Sequence, residues 1–249
     1  VIARWVWGVG VLAFVGWLGC GPRAAPVAEG RRIVSLSPSI SRVLLALGVR
    51  EEIVAVDRFS RELAGLETLP SLGGLFSPDL ERTVELRPSL VLAVRSAQQA
   101  AFFAQLRARG VRVEEIEVYT LSEVLQSFLR IGDSVGRRLE AEALVARVRG
   151  ELEQISESVK GSPRRSVALV LERDPLYVAG RGAFIHSLIE TAGGENVFSD
   201  LADPYPRVSL EALADRAPEL ILDTFLDPRR GAEAEEEVRS YWRHFGWVR

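Results

Sequence analysis

From residue 31 onward, short apolar runs alternate with stretches in which apolar residues recur every three or four positions. The first pattern is that of buried strands, the second that of helices laid over them. Residues 33–37 read as a strand, after which Pro38 opens a helix to Leu47 that Gly48 stops. Residues 53–56 and 90–94 read as strands, 97–109 as a helix closed by Gly110, and 111–118 as a further strand. Between them Ser77 is expected to cap a helix with Pro78 in its first position and Leu80, Val84 and Leu86 on one side, until Pro88 breaks it. From Leu121 to Lys160 there is no proline, glycine occurs only at 132, 136 and 150, and Leu and Val keep helical spacing. As one helix, residues 137–160 would be about 36 Å long, enough to cross from one domain to another. Gly161, Ser162 and Pro163 end it, and alternation resumes with a strand at 166–171, a helix near 183–192 and a strand at 219–224. The expected class is α/β: two Rossmann-like lobes with mainly parallel sheets, residues 31–136 and 161–249, joined by one long interdomain helix at 137–160.

The chain also echoes itself across that helix. Leu80-Glu81-Arg82-Thr83-Val84-Glu85-Leu86-Arg87-Pro88-Ser89-Leu90-Val91-Leu92 aligns with Leu210-Glu211-Ala212-Leu213-Ala214-Asp215-Arg216-Ala217-Pro218-Glu219-Leu220-Ile221-Leu222. A similar offset pairs Arg31-Arg32-Ile33-Val34-Ser35-Leu36 with Arg164-Arg165-Ser166-Val167-Ala168-Leu169. Two such lobes across a rod enclose a cleft, a preferred place for a small molecule. Glu81 and Glu211 take the same place in each repeat, behind the expected caps Ser77 and Ser209. A helix N-terminus favours a carboxylate by about 0.3–1 kcal/mol, which accounts for either one alone. As a pair they are two equivalent anionic points suited to a two-fold symmetric partner.

Composition narrows the function. The 249 residues are 47% hydrophobic, enough for one large core or two modest ones, and the net charge of −3 with interspersed signs gives no footprint for nucleic acid. Cys20 is the single cysteine and His186 and His244 the only histidines, so neither a disulfide nor a metal site is expected. Arg4 precedes an apolar stretch, Trp5 to Leu18, that ends in Leu18-Gly19-Cys20-Gly21. This signal-peptide layout is shorter than the roughly 20 residues a spanning helix needs. Small residues before the cysteine resemble the bacterial lipoprotein signal, although Trp17 stands where Leu is usual. Residues 1–20 therefore read as a signal peptide ending at a lipidated Cys20, and 21–30 as a flexible tether. The mature chain is expected in the periplasm or at the cell surface, lipid-anchored to a bacterial membrane. Enzyme signals are weak: Gly132-Asp133-Ser134-Val135-Gly136 fits the Gly-x-Ser-x-Gly pattern but lies in the expected helical run and not at a strand-to-helix elbow, and Gly180-Arg181-Gly182 lacks the third glycine of a dinucleotide fingerprint. His186, beside Ile185 and Leu188 on an expected helix, reads as a packed histidine and not a base, so no catalytic residue is assigned. A hydrolase- or dehydrogenase-like enzyme and a ligand sensor are the competing readings.

Several ordered motifs carry a family resemblance: Ile33-Val34-Ser35-Leu36-Ser37-Pro38-Ser39, Leu72-Gly73-Gly74, Pro78-Asp79-Leu80-Glu81, Leu86-Arg87-Pro88-Ser89-Leu90-Val91-Leu92-Ala93 and Ala192-Gly193-Gly194-Glu195-Asn196-Val197-Phe198. Across residues 31–249 the chain resembles the periplasmic cobalamin and iron-siderophore binding proteins of ABC importers. That resemblance implies two lobes on a stiff helix and one glutamate per lobe, Glu81 and Glu211 here, binding arginines of the permease pair. It also implies a ligand pocket that includes Phe59, Leu75, Phe76, Arg95, Tyr177 and Tyr205. The implied ligand is a corrinoid or an iron chelate, siderophore or haem, with no intrinsic cofactor. Aromatic walls suit a flat or bulky guest. Arg42, Arg58, Arg95, Arg181 and Arg207 add positive charge that suits carboxylate or phosphate groups. The chain departs from many relatives at Ser41-Arg42, where Thr-Glu is common, and its C-terminal lobe is expected to lack a last strand and helix.

Overall fold

The structure, a computed structural model, describes residues 30–74, 77–224 and 232–245. The expectations for Cys20, Leu75 and Phe76 lie outside the described residues. The first lobe runs β1 (Ile33–Ser35), α1 (Pro38–Ala46), β2 (Ile53–Val56), the short strands β3 (Gly73–Gly74) and β4 (Ser77–Pro78), α2 (Leu80–Glu85), β5 (Leu90–Val94), α3 (Ala100–Ala108) and β6 (Arg112–Ile116). Two helices follow, α4 (Leu121–Ser134) and α5 (Arg138–Ser158). The second lobe runs β7 (Arg165–Arg173), β8 (Leu176–Val178), α6 (Phe184–Thr191), β9 (Gly194–Asn196), α7 (Leu210–Asp215), β10 (Leu220–Asp223) and α8 (Ala232–Arg243).

The first sheet is wholly parallel in the order β2-β1-β5-β6. In the second, β7 is central, with parallel β10 on one edge and antiparallel β8 and parallel β9 on the other. A strand covered on both faces needs apolar residues at every position, because successive side chains point to opposite sides. Leu90 and Leu92 accordingly join Ile33, Ile40 and Leu44 on one face, while Val91 and Ala93 join Phe102, Phe103 and Leu106 on the other. The same division recurs in the second lobe, with Val167 and Leu169 on one face and Ala168 and Val170 on the other. Each fully buried leucine contributes about 1.5–3 kcal/mol. The edge strand β6 departs from this rule: it carries Arg112, Glu114 and Glu115, and charge there blocks pairing with foreign strands.

Duplication extends to backbone detail, with two corrections to the sequence reading. Ile33 lies opposite Leu90 and Val167 opposite Leu220, so Val167, not Ser166, is the counterpart of Ile33. Ser77 does not cap α2, because pairing of β4 with β3 draws it into a strand. The cap is Asp79, which accepts from the Arg82 amide at 3.0 Å, as Ser209 accepts from Ala212 at 3.1 Å to start α7. Both helices end on a non-glycine residue in the left-handed region, Arg87 at φ 44° and Ala217 at φ 42°, each just before a proline. Such residues are uncommon, and finding them at matched positions marks one plan used twice.

The long helical region breaks once, at Gly136 (φ 64°), into α4 and α5. A capping box of Thr120 and Glu123 starts α4. The 21 residues of α5 span about 31 Å, close to the expected rod. Ala141, near its start, is in the first-lobe core, and Val159, just past its end, touches Gly193 of the second lobe. Helix α4 packs on both α1 and α6, so it too ties the lobes together. The crossing of α4 and α5 is tight at Gly132, where a Cβ would stand 2.4 Å from Ala141 Cβ and 2.9 Å from the Arg137 carbonyl oxygen.

Gly132→Ala sets a helix-propensity gain of about 1 kcal/mol against an overpacking cost of about 1–3 kcal/mol. One obstructing atom is backbone and cannot step aside, so the cost wins. The variant is expected to unfold at lower urea concentration, and adding Ala141→Gly to recover part of the loss. An unchanged midpoint for the single variant would remove this crossing as a constraint.

Candidate functional site

In open α/β sheets ligands gather beyond the carboxyl ends of the strands. At that edge of the first sheet, Phe59 follows β2, Arg95 follows β5, and Glu117 and Tyr119 follow β6. Phe59 is 46% exposed, with the Arg58 guanidinium 4.8 Å from its ring centroid. Beneath it the buried Asp57 accepts from the Phe59 amide at 3.0 Å, the Ser60 amide at 3.3 Å and the Ser60 hydroxyl. The network runs on inward, as the Ser41 hydroxyl lies 2.9 Å from Ser60 Oγ and 2.8 Å from Ser35 Oγ. In the second lobe Asn196, at the end of β9, accepts from the Phe198 amide at 3.0 Å. There the ring is fully buried, under the Arg216 guanidinium. Phe198 is thus part of the core, whereas Phe59 is presented to solvent.

Arg95 does not stand free. The register of β5 on β6 sets Val94 beside Ile116 and so delivers Arg95 to Glu117 at 2.7 Å. The Tyr119 hydroxyl donates to the other Glu117 oxygen at 3.1 Å. Arg95, followed by Tyr119, holds the Glu117 carboxyl below the usual carboxylate range. Sequence reasoning found Arg95 but missed Glu117 and Tyr119, which only strand pairing brings to it.

In the second lobe Tyr177 lies on β8, opposite Glu172 at the carboxyl end of β7, and bridges to Arg207. Tyr205 packs beside Val167, Leu169, Ala179, Ala183 and Ile189. Their loops are zipped together by Val178 N–H to the Pro206 carbonyl at 3.2 Å and Gly180 N–H to the Pro204 carbonyl at 3.0 Å. Gly180-Arg181-Gly182, unfit for a dinucleotide, serves this contact: a Cβ at Gly180 would lie 2.1 Å from the Asp203 carbonyl oxygen, and one at Gly182 2.6 Å from that of Ala202. Burial, and then the nearby Tyr119, push the Tyr205 hydroxyl above the usual phenol range. Arg42, Arg181 and Arg207 are exposed. His186 pairs with Glu190 one turn on, at 3.7 Å.

The sequence pattern of the periplasmic binding proteins matches residues 33–235. The chain belongs to this family. Among its relatives, the vitamin B12-binding protein of Salmonella typhimurium is 26% identical over 191 residues, covering 77% of this chain and 71% of that one. The cobalamin-binding protein of Halobacterium salinarum is 28% identical over 216 residues, covering 85% and 58% respectively. A periplasmic heme binding protein from Pseudomonas aeruginosa superposes with a TM-score of 0.72 at 30% identity, covering 84% of this chain and 77% of that one. The two-lobe architecture is thus that of the periplasmic binding proteins. Within this member, Glu81 and Glu211 are both exposed in the first turns of α2 and α7. The Glu211 carboxyl is held below the usual range by its own amide and then by Ser209.

Asp57→Ala leaves three buried donors without their acceptor, at about 1–3 kcal/mol for each group left unsatisfied. Asp57→Asn copies the chemistry of Asn196 and should keep most of the stability. Urea midpoints in the order native, Asn, Ala are expected; an Ala variant as stable as native would show that the turn needs no support from below.

Proposed function

We propose that this chain is the extracytoplasmic substrate-binding subunit of an ABC importer. It captures a corrinoid or an iron chelate, siderophore or haem, between its lobes and delivers it to a permease dimer. The carrying observation is the exposed Phe59 together with Tyr119, Tyr177 and Tyr205 at the carboxyl edges of two facing sheets, in a member of the periplasmic binding protein family. The names of its relatives, for vitamin B12, cobalamin and heme, support a large, flat, conjugated guest. We take the lobes as residues 31–136 and 161–249 with the linking helix at 137–160, and Phe59, Leu75, Phe76, Arg95, Tyr177 and Tyr205 as ligand contacts. The guest is cargo, so no intrinsic cofactor or metal is part of the reading.

Cys20, as the lipidated residue, tethers the protein to the membrane, and residues 1–20 are its signal. Glu81 and Glu211 dock on the permease. Exposed ion pairs are worth about 0–1 kcal/mol each, so their work is orientation and association rate. The relatives are binding proteins, which favours capture over catalysis.

Two measurements bear on this. Truncating a buried aromatic anchor at an interface typically costs about 2 kcal/mol or more, so Tyr177→Ala with Tyr205→Ala should weaken cyanocobalamin or haemin binding by about thirtyfold or more in absorbance titrations. Unaltered affinity for both removes these tyrosines from the site. Glu81→Ala with Glu211→Ala should abolish uptake in cells while leaving ligand affinity intact; uptake at the native rate would refute docking through them.

A further inference from the structure

Beside the aromatic walls, a groove of about 460 Å³ opens between α3, β6 and the segment after β5. Two ion pairs frame it: Arg95 with Glu117 at 2.7 Å, and Arg107 with Glu115 at 2.7 Å. Ser96 and Tyr119 complete its polar lining, and Tyr119, 44% exposed, lies with Arg95 at the carboxyl edge of the first sheet, where ligands of such sheets gather. The charges cancel pair by pair, so the groove offers donors and acceptors at close range with no net charge. A carboxylate entering it would lie near Glu115 and Glu117 while the arginines that could neutralise it are already engaged. An ammonium group would meet the reverse arrangement. A primary amide or a hydroxyl carries a donor and an acceptor together, matches both partners and brings no charge to desolvate.

We infer that this groove is a subsite for the neutral, amide- or hydroxyl-bearing rim of the ligand and that Glu117, Glu115 and Tyr119 set its discrimination against carboxylates. The inference rests on the reading that the cleft holds a macrocycle or a chelate. Arg95, already paired with Glu117 at 2.7 Å, would then meet the ligand as a hydrogen-bond donor and not as an anion trap.

The test compares cyanocobalamin, whose rim carries carboxamides, with the monocarboxylic acid made by hydrolysing one of them. The full chain is expected to bind the acid about tenfold more weakly. Glu117→Gln releases Arg95 and should narrow or invert the ratio of the two affinities. Glu115→Gln, on the other ion pair, is the second variant and should move the ratio the same way. Among iron chelates the same rule has a neutral ferric hydroxamate preferred to ferric citrate. Equal affinity for amide and acid, a ratio that neither variant moves, haemin bound more tightly than cyanocobalamin, or ferric citrate preferred to the hydroxamate would each overturn the subsite and leave the importer reading standing. Failure to bind cyanocobalamin, haemin and both ferric chelates would instead sink the importer reading itself.

Discussion

Helices α4 and α5 approach so closely at Gly132 and Ala141 that no side chain larger than hydrogen fits at position 132 without displacing backbone. This contact makes one stiff unit of two helices that would otherwise be a hinge. Ala141 is embedded in the core of the first lobe, α4 rests on α6, and Val159 past the end of α5 meets Gly193 of the second. A link of this kind resists large closure, because packed interfaces shift between discrete arrangements and do not deform continuously. The proposed site would then be built in advance: tight turns and zipped loops hold its aromatic residues, which would leave little ordering for a ligand to drive.

In the proposed site the walls and the groove would divide the work of recognition. Phe59 and the tyrosines would supply area, which is sequence-tolerant and fits many flat guests. Paired charges supply selectivity, because a wrong charge is penalised more sharply than a right one is rewarded. Buried support lies behind each wall: Asp57 with Ser60, Ser41 and Ser35 behind Phe59, and the Gly180–Gly182 strip against residues 201–206 behind Tyr177 and Tyr205. The second lobe has its own lock, in which Asp223 is bound by Arg173 at 2.8 Å and Trp242 Nε1 at 2.7 Å, fixing α8 on the sheet. Since both side chains of the ion pair are nearly buried, losing either partner would cost far more than losing any of the surface pairs.

Duplication explains why the outer features match while the inner ones diverge. Glu81 and Glu211 are identical, and their caps, Asp79 and Ser209, and the left-handed residues after their helices, Arg87 and Ala217, stand at matched positions with different side chains. Nearer the sheets the lobes differ: Phe59, after β2, is presented to solvent, while Phe198, after β9, is fully buried. The guest proposed for the cleft has no two-fold symmetry and would be met by unlike surfaces of this kind.

Strands 53–56 and 90–94 were legible to the residue, because a strand buried on both faces is an unbroken apolar run and glycine or proline marks its ends. The helices, their stops and the repeat were legible for the same reason: local periodicity and backbone limits are properties of neighbouring residues. Strand β9, Gly-Glu-Asn, has no apolar signal at all and is a strand only because β7 pairs with it. Ser77 met the local rule for a cap and lost to strand pairing. Phe59, Arg95, Tyr177 and Tyr205 stood out as loop residues beside motifs, but their roles depend on partners far along the chain. Arg95 meets Glu117 across 22 positions through strand register, and Tyr177 bridges to Arg207 of a later loop. Short-range chemistry determined the elements and where they stop; long-range pairing decided which charges are spent and which faces are left to bind.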